Sequence, residues 1–175
     1  MKAMTVAVLI LASTVASAQS PYAGMQARPI KTLSAQQIDD LKAGRGMGLA
    51  LVAELNGYPG PVHVLELSDR LALTPAQKQQ IQKLFESMKA ESVAIGVRLI
   101  EQEGALDLQF ANRSIRPDAL KDVTAKIGLT QAELRNTHLK YHLETAQILS
   151  ADQMKQYAEL RGYAPDAPAK HHRMH

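Results

Sequence analysis

Two long stretches of the chain repeat apolar or small residues at alternating steps of three and four, which places one apolar stripe along a helix. The stripes consist of Ile81, Phe85, Met88, Ser92, Ile95, Leu99, Leu106 and Phe110, and of Leu120, Val123, Ile127, Thr130, Leu134, His138, Tyr141, Thr145 and Ile148. A stripe over about thirty residues implies a helix on the order of 50 Å long, so each long helix must pair with another. Asn112 to Arg116 interrupt the pattern and Pro117 restarts it. The sequence therefore predicts an all-α fold with a long antiparallel helical hairpin.

Shorter helices are expected on both flanks of the hairpin, because capping and turn residues alternate there with apolar runs. Ser34 and Gln37 have the spacing of a capping box, and the glycines from Gly44 to Gly48 end the helix that it opens. The expected short helices begin at Ser34, run over Leu49–Leu55 and His63–Leu71, and run from Ser150 to Gly162.

The remaining segments fall outside this helical pattern. Residues 34–163 are assigned to a single helical domain, preceded by a flexible leader at 19–33 and followed by a disordered, His-containing tail at 164–175. We expect residues 48–61, which are rich in turn signals, to fold back and cover an end of the hairpin.

The first 18 residues have the layout of a secretory signal peptide. Lys2 supplies the positive charge, Val6–Val15 the apolar core and Ala16-Ser17-Ala18 the cleavage pattern. An uncleaved membrane anchor is the alternative, but such a short apolar run falls well below the roughly twenty residues that a membrane-spanning helix needs. The expected mature protein is periplasmic, begins at Gln19 and has no stable membrane insertion.

Composition narrows the classes of function. The chain has no cysteine, which excludes disulfides, thiol catalysis and zinc sites built on thiolates. Its 20 Lys and Arg residues are interspersed with 17 Asp and Glu residues, which argues against a nucleic-acid partner because phosphate binding requires concentrated basic surface. No nucleophile elbow or phosphate-binding loop is present, so we expect no enzymatic activity.

Two five-residue motifs open the first long helix and the last short one. Leu73-Thr74-Pro75-Ala76-Gln77 and Leu149-Ser150-Ala151-Asp152-Gln153 share an apolar residue, a hydroxyl N-cap and a glutamine at the capping-box position. With these motifs the chain resembles the LTxxQ family of exported helical proteins, which includes periplasmic chaperones of the Spy and CpxP type and related heavy-metal-resistance sensors. The resemblance covers roughly residues 61–163, and the second motif departs from it by having Ser150 in place of threonine.

The resemblance implies a helical and often dimeric protein that acts against envelope stress. We expect an ATP-independent chaperone-like protein that holds unfolded or misfolded periplasmic proteins, forms a homodimer and requires no cofactor. The alternative function, which the resemblance also implies, is that of a periplasmic sensor or buffer for heavy metals such as zinc, copper or nickel. Both functions use one fold, so the fold does not decide between them.

A metal site, if present, is expected at three histidines and one glutamate. His138 and His142 lie four residues apart on one helix face, a spacing at which two imidazoles can bind zinc, copper or nickel. The internal repeat of the two motifs brings His63 toward them, with Glu66 as the nearest carboxylate. A hydrogen-bonded core histidine is the competing interpretation of His138. The tail adds His171, His172, Met174 and His175, which are either soft-metal ligands or simply solvated.

Client binding is expected on the hairpin, where apolar strips would be flanked by basic side chains. A homodimer interface with an ordinary solvated charged face explains the same pattern. The basic residues are Lys83, Lys89, Arg98, Lys121, Lys126, Arg135 and Lys140.

Overall fold

The computed structural model describes residues 20–163, and over this range the chain forms helices and no strands. This confirms the all-α prediction. A 3-10 turn at Met25–Ala27 precedes six α-helices, which are α1 (Ala35–Lys42), α2 (Leu51–Glu54), α3 (Pro61–Glu66), α4 (Pro75–Ala111), α5 (Pro117–Ile148) and α6 (Ala151–Arg161). None of the helices in this range combines the length and apolar character needed to cross a membrane. The predicted signal peptide and the histidine tail lie outside the described residues.

The two long helices α4 and α5 pack against each other, joined by the short turn after Ala111. Their contacts run in opposite directions along the two helices. Gln77 at the start of α4 donates to the carbonyl of Ile148 at the end of α5 over 2.9 Å. Further along α4, Glu91 pairs with Lys140 at 3.0 Å and Arg98 pairs with Glu133. The helices are therefore antiparallel.

Two separate apolar cores hold the helices together. The first core contains Leu41 of α1, Ile95 and Leu99 of α4, and Ile127 and Leu134 of α5. The second lies where α4 begins and α5 ends, and it contains Val64, Leu71, Ile81, Leu149 and Tyr157. Residues 85–89 of α4 and 138–142 of α5 lie between these cores, because the first core begins at Ile95 and Leu134 on one side of them and the second uses Ile81 and Leu149 on the other. The stretch between the cores is thus left for other contacts.

The two LTxxQ motifs lie side by side and bond to each other. Thr74 and Ser150 each accept a hydrogen bond from the backbone of their motif glutamine, so both predicted capping boxes are present. The side chains of Gln77 and Gln153 also exchange hydrogen bonds of 2.9 and 3.2 Å. Gln153 additionally donates to the carbonyl of Leu71 over 3.2 Å. The motifs therefore join α4 to α6.

The short helix α1 docks on α4 through a glycine. A Cβ atom at Gly96 would lie 2.5 Å from the carbonyl oxygen of Leu41, so only glycine permits this approach. The last residues of the leader before α1 bond to the far part of α4. Lys31 pairs with Asp107 at 3.0 Å and Thr32 donates to Glu103 over 3.0 Å.

Helix α3 is shorter than the predicted span His63–Leu71. It begins at Pro61 and ends at Glu66. The next residues tighten into turns, in which Ser68 donates to Leu65 and Leu71 to Leu67. Ala72 then adopts a positive φ of 47°. These turns carry Leu71 into the second core, where its side chain is 1% exposed.

Candidate functional site

An open cavity of about 580 Å³ occupies the space between the two apolar cores. Its floor is formed by α4 and α5, through Phe85, Met88, His138 and His142. Residues 43–48, 50–51 and 60–63 also line it, so the segment 48–61 folds back onto the long helices. This segment lies along the side of the long helices at the two histidines, whereas the sequence suggested that it would cover their end.

All four predicted metal ligands line this cavity. His63 and Glu66 lie on its solvent side, where the His63 Nδ1 atom is 3.0 Å from Glu66 Oε2. His138 and His142 lie on the floor and are buried. Within residues 20–163, no three His, Asp or Glu side chains are close enough together to hold one metal ion. The internal repeat therefore brings the residues to one cavity without assembling a complete coordination sphere.

The surroundings of His138 disfavour the charged form of its imidazole. Its side chain belongs to the apolar stripe and is 3% exposed, and its Nε2 atom has no hydrogen-bond partner among the described residues. Burial, followed by the nearby His142, lowers the pKa of His138 below its ordinary value. His138 thus lies in the core, as one of the two interpretations from the sequence expects, while its Nε2 atom is not paired with any of residues 20–163.

His142 is fixed in orientation by the segment that covers it. Its Nδ1 atom lies 2.7 Å from the carbonyl oxygen of Tyr58. Because a carbonyl only accepts, Nδ1 carries the hydrogen in this bond. A Cβ atom at Gly60 would lie 2.9 Å from the Nε2 atom of the same ring. The turn Tyr58-Pro59-Gly60 therefore packs directly on His142.

Beside the cavity lies a buried carboxylate that the sequence did not single out. Glu54 is 6% exposed and accepts hydrogen bonds from the Tyr157 hydroxyl at 2.5 Å and the Gly60 amide at 3.2 Å. The Nε atom of Arg161 lies 3.4 Å from the carboxylate, an ion-pair distance without hydrogen-bond geometry. Burial and the bond to Glu54 raise the pKa of Tyr157, so its hydroxyl remains a donor. Glu54 thereby ties α2 to α6.

The covering segment exposes several large apolar side chains. Met47, Leu51, Val52, Leu55 and Tyr58 are each between 41% and 58% exposed. Leu51 and Leu55 share one face, since they are four residues apart in a helical turn. We call these five side chains the 47–58 surface. The sequence signal for it was the apolar run Leu49–Leu55, which predicts helix but does not say which side chains remain uncovered.

The basic residues predicted to bind clients do not form one group. Arg98 and Lys140 are paired with Glu133 and Glu91 across the helix pair. The Lys140 ammonium also lies 4.5 Å from the centre of the Tyr141 ring. Lys89 lines the cavity. The others are exposed along the long helices, at Lys83, Lys121, Lys126 and Arg135.

Comparison of the chain with family models, with curated proteins and with solved structures finds no match. The LTxxQ resemblance therefore remains a prediction that rests on the two motifs.

Proposed function

We propose that this protein is an exported, periplasmic holding chaperone of the Spy and CpxP type, which binds unfolded proteins in envelope stress without ATP. One observation carries the proposal. Five large apolar side chains are exposed within twelve residues on the 47–58 surface, and concentrated exposed apolar surface is typical of binding sites for other proteins.

The chemistry of this surface fits weak and reversible binding. Burying one large apolar side chain contributes about 1.5 to 3 kcal/mol, and ordering a flexible client offsets much of the gain. A few such contacts hold an unfolded chain and still release it. The proposal includes homodimerisation through the antiparallel pair α4 and α5, because the resemblance to this family implies an often dimeric protein. Leu108, Phe110 and Leu129 of this pair are each more than half exposed.

The test is suppression of aggregation of a chemically unfolded client at equimolar protein, without ATP and with a chelator present. We expect the parent protein to suppress aggregation and the variant Leu51→Ser/Leu55→Ser to lose most of this effect. Tyr22→Ser is the matched control, because Tyr22 is 72% exposed and lies outside both the 47–58 surface and the α4 and α5 pair. No suppression by the parent protein at any ratio up to a fivefold excess would contradict the proposal.

Metal binding is the second candidate, and the convergence of His63, Glu66, His138 and His142 on one cavity favours it. His142 donates its Nδ1 hydrogen to a carbonyl, an arrangement that often orients a metal-binding imidazole. Zinc, copper and nickel are the metals to test by titration calorimetry. We expect a submicromolar site in the parent that His138→Ala/His142→Ala removes while the tail histidines are retained. Equal binding by both proteins would exclude the cavity as the site.

A further inference from the structure

We propose that Asn56 is a site of spontaneous covalent modification, at which the chain converts to aspartate and isoaspartate and the turn on His142 loosens. Asn56 lies just after α2, in the segment that covers the cavity, and it is followed directly by Gly57. The inference does not depend on the proposed function, because the reaction uses only the chain itself and water.

The reaction begins when the main-chain nitrogen of Gly57 attacks the side-chain carbonyl carbon of Asn56. The new C–N bond closes a succinimide ring, while the attacking nitrogen loses its proton and the side-chain nitrogen leaves as ammonia. Water then opens the ring by breaking one of its two C–N bonds. Breaking the bond to the side-chain carbon gives aspartate. Breaking the bond to the main-chain carbon gives isoaspartate, in which the backbone is longer by one methylene.

The residue after an asparagine controls the first step, because its side chain hinders the approach of its own nitrogen. Gly57 has no side chain, and a Cβ atom built on it would have no heavy atom beyond its chain neighbours within 4 Å. Its N–H donates to the carbonyl of Glu54 at 3.4 Å, beyond the usual range of about 2.7 to 3.2 Å. The attacking nitrogen is therefore unhindered and weakly held.

The side chain of Asn56 is exposed, but one hydrogen bond slows the reaction. Its Nδ2 atom donates to the carbonyl of Val52 over 2.7 Å, which holds the amide back along α2. Residues 50–60 add no side chain to either apolar core, and such segments open more easily than the whole protein unfolds. We therefore expect a reaction that is slower than in the unfolded chain and still measurable in the folded protein.

The two other asparagines of the chain are internal references. Asn112 is followed by Arg113 and Asn136 by Thr137, whose side chains hinder the attack. The N–H of Arg113 donates to the carbonyl of Phe110 over 3.0 Å. Thr137 lies inside α5 and is 4% exposed. Neither reference should react at a rate comparable to that of Asn56.

Isoaspartate at position 56 would disturb the contacts of the turn that follows it. His142 donates its Nδ1 hydrogen to the carbonyl of Tyr58 over 2.7 Å, and the Gly60 amide donates to Glu54 over 3.2 Å. An extra methylene in the main chain just before Tyr58 moves both groups out of register with their partners. The new carboxylate also places a negative charge beside the 47–58 surface.

The test is incubation of the full sequence expressed with export, at neutral and at mildly alkaline pH, followed by proteolysis and mass spectrometry. We expect the peptide with Asn56 to acquire the mass of the acid, faster at the alkaline pH because the attacking nitrogen must lose its proton. The peptides with Asn112 and Asn136 should keep their amides. Enzymatic methylation distinguishes isoaspartate from aspartate, and incubation in urea gives the rate of the unfolded chain.

Two variants separate the parts of the inference. Asn56→Gln keeps a side-chain amide but would have to close a larger ring, so the modification should be lost. Asn56→Asp supplies the charge without the extra methylene. The NMR signal of the His142 Nδ1 hydrogen should change in the isoaspartate form, separated by ion exchange, and stay close to that of the parent in Asn56→Asp.

Four results would overturn the inference. They are an Asn56 peptide that keeps its amide in the folded protein at alkaline pH, equal conversion of Asn112 or Asn136, the same gain of acid in Asn56→Gln, or a His142 signal that is identical in the isoaspartate form and the parent. None of them bears on aggregation suppression by the unmodified protein, so the proposed function is tested separately.

Discussion

The side chains of Gln77 and Gln153 bond to each other, and each also donates to a backbone carbonyl shortly before the other's motif. Gln77 reaches the carbonyl of Ile148, and Gln153 reaches that of Leu71. Each glutamine also caps its own helix. The side-chain amides of both glutamines are thus fully hydrogen-bonded within the fold. These structural bonds explain why the motif has glutamine at this position, without a ligand.

Removing either glutamine should destabilise the fold. We expect Gln77→Ala and Gln153→Ala each to lower the free energy of unfolding by about 1 to 3 kcal/mol, because the partners left behind are partly buried. The double variant should lose less than the two single losses together, since both remove the same shared bonds. Urea denaturation measures all three. Gln82→Ala, whose side chain bonds only to Glu86 on the exposed face, should cost less than about 0.5 kcal/mol. Strict additivity would show that the two glutamines act independently.

Two glycines inside long helices should respond in opposite ways to alanine. Gly128 of α5 has no heavy atom within 4 Å of a built Cβ, so Gly128→Ala should raise the free energy of unfolding by about 0.5 to 1 kcal/mol. Gly96→Ala should lower it by about 1 to 3 kcal/mol, because the methyl group would meet the backbone of Leu41. Thermal unfolding of the two variants and the parent protein measures both changes. A stabilised Gly96→Ala variant would contradict the close docking of α1.

Burial of His138 should make the stability depend on pH. Burial and the nearby His142 lower the pKa of His138 in the folded state. As the pH falls below about 6.5, the ordinary pKa of histidine, His138 is therefore protonated in the unfolded chain before it is protonated in the folded protein. The stabilisation is complete above that pH and is lost as the pH falls toward the folded-state pKa. The slope from this group is at most about 1.4 kcal/mol per pH unit.

Urea denaturation between pH 7.5 and pH 5 measures this slope. His138→Gln, which does not titrate, should show a smaller loss of stability over the same interval. An identical slope in parent and variant would show that His138 does not carry the effect.

The helices were largely predictable, because their signals are local. Periodic apolar residues and the capping boxes at Ser34, Thr74 and Ser150 predicted where the helices lie and where three of them begin. The apolar stripe predicted burial less well near the turn after α4, where Phe110 is 54% exposed. Too few elements pack on that part of α4 to cover it.

The cavity was only partly predictable. The repeat of the motifs indicated that His63, His138 and His142 would come together, and all three line one cavity. Glu54 could not be recognised, since a glutamate in a short helix is ordinarily solvated. Its burial depends on Tyr157, which is more than a hundred residues away in the sequence. Contacts at that separation leave no local pattern.

The division of the apolar packing into two cores has a consequence for local opening. Residues 50–60 add no side chain to either core. They are held instead by the buried side chains of Ala50, Ala53 and Pro59 and by the bond that Tyr157 donates to Glu54. Because neither core depends on these contacts, we expect the amides of this segment to exchange with solvent before those that lie over the two cores.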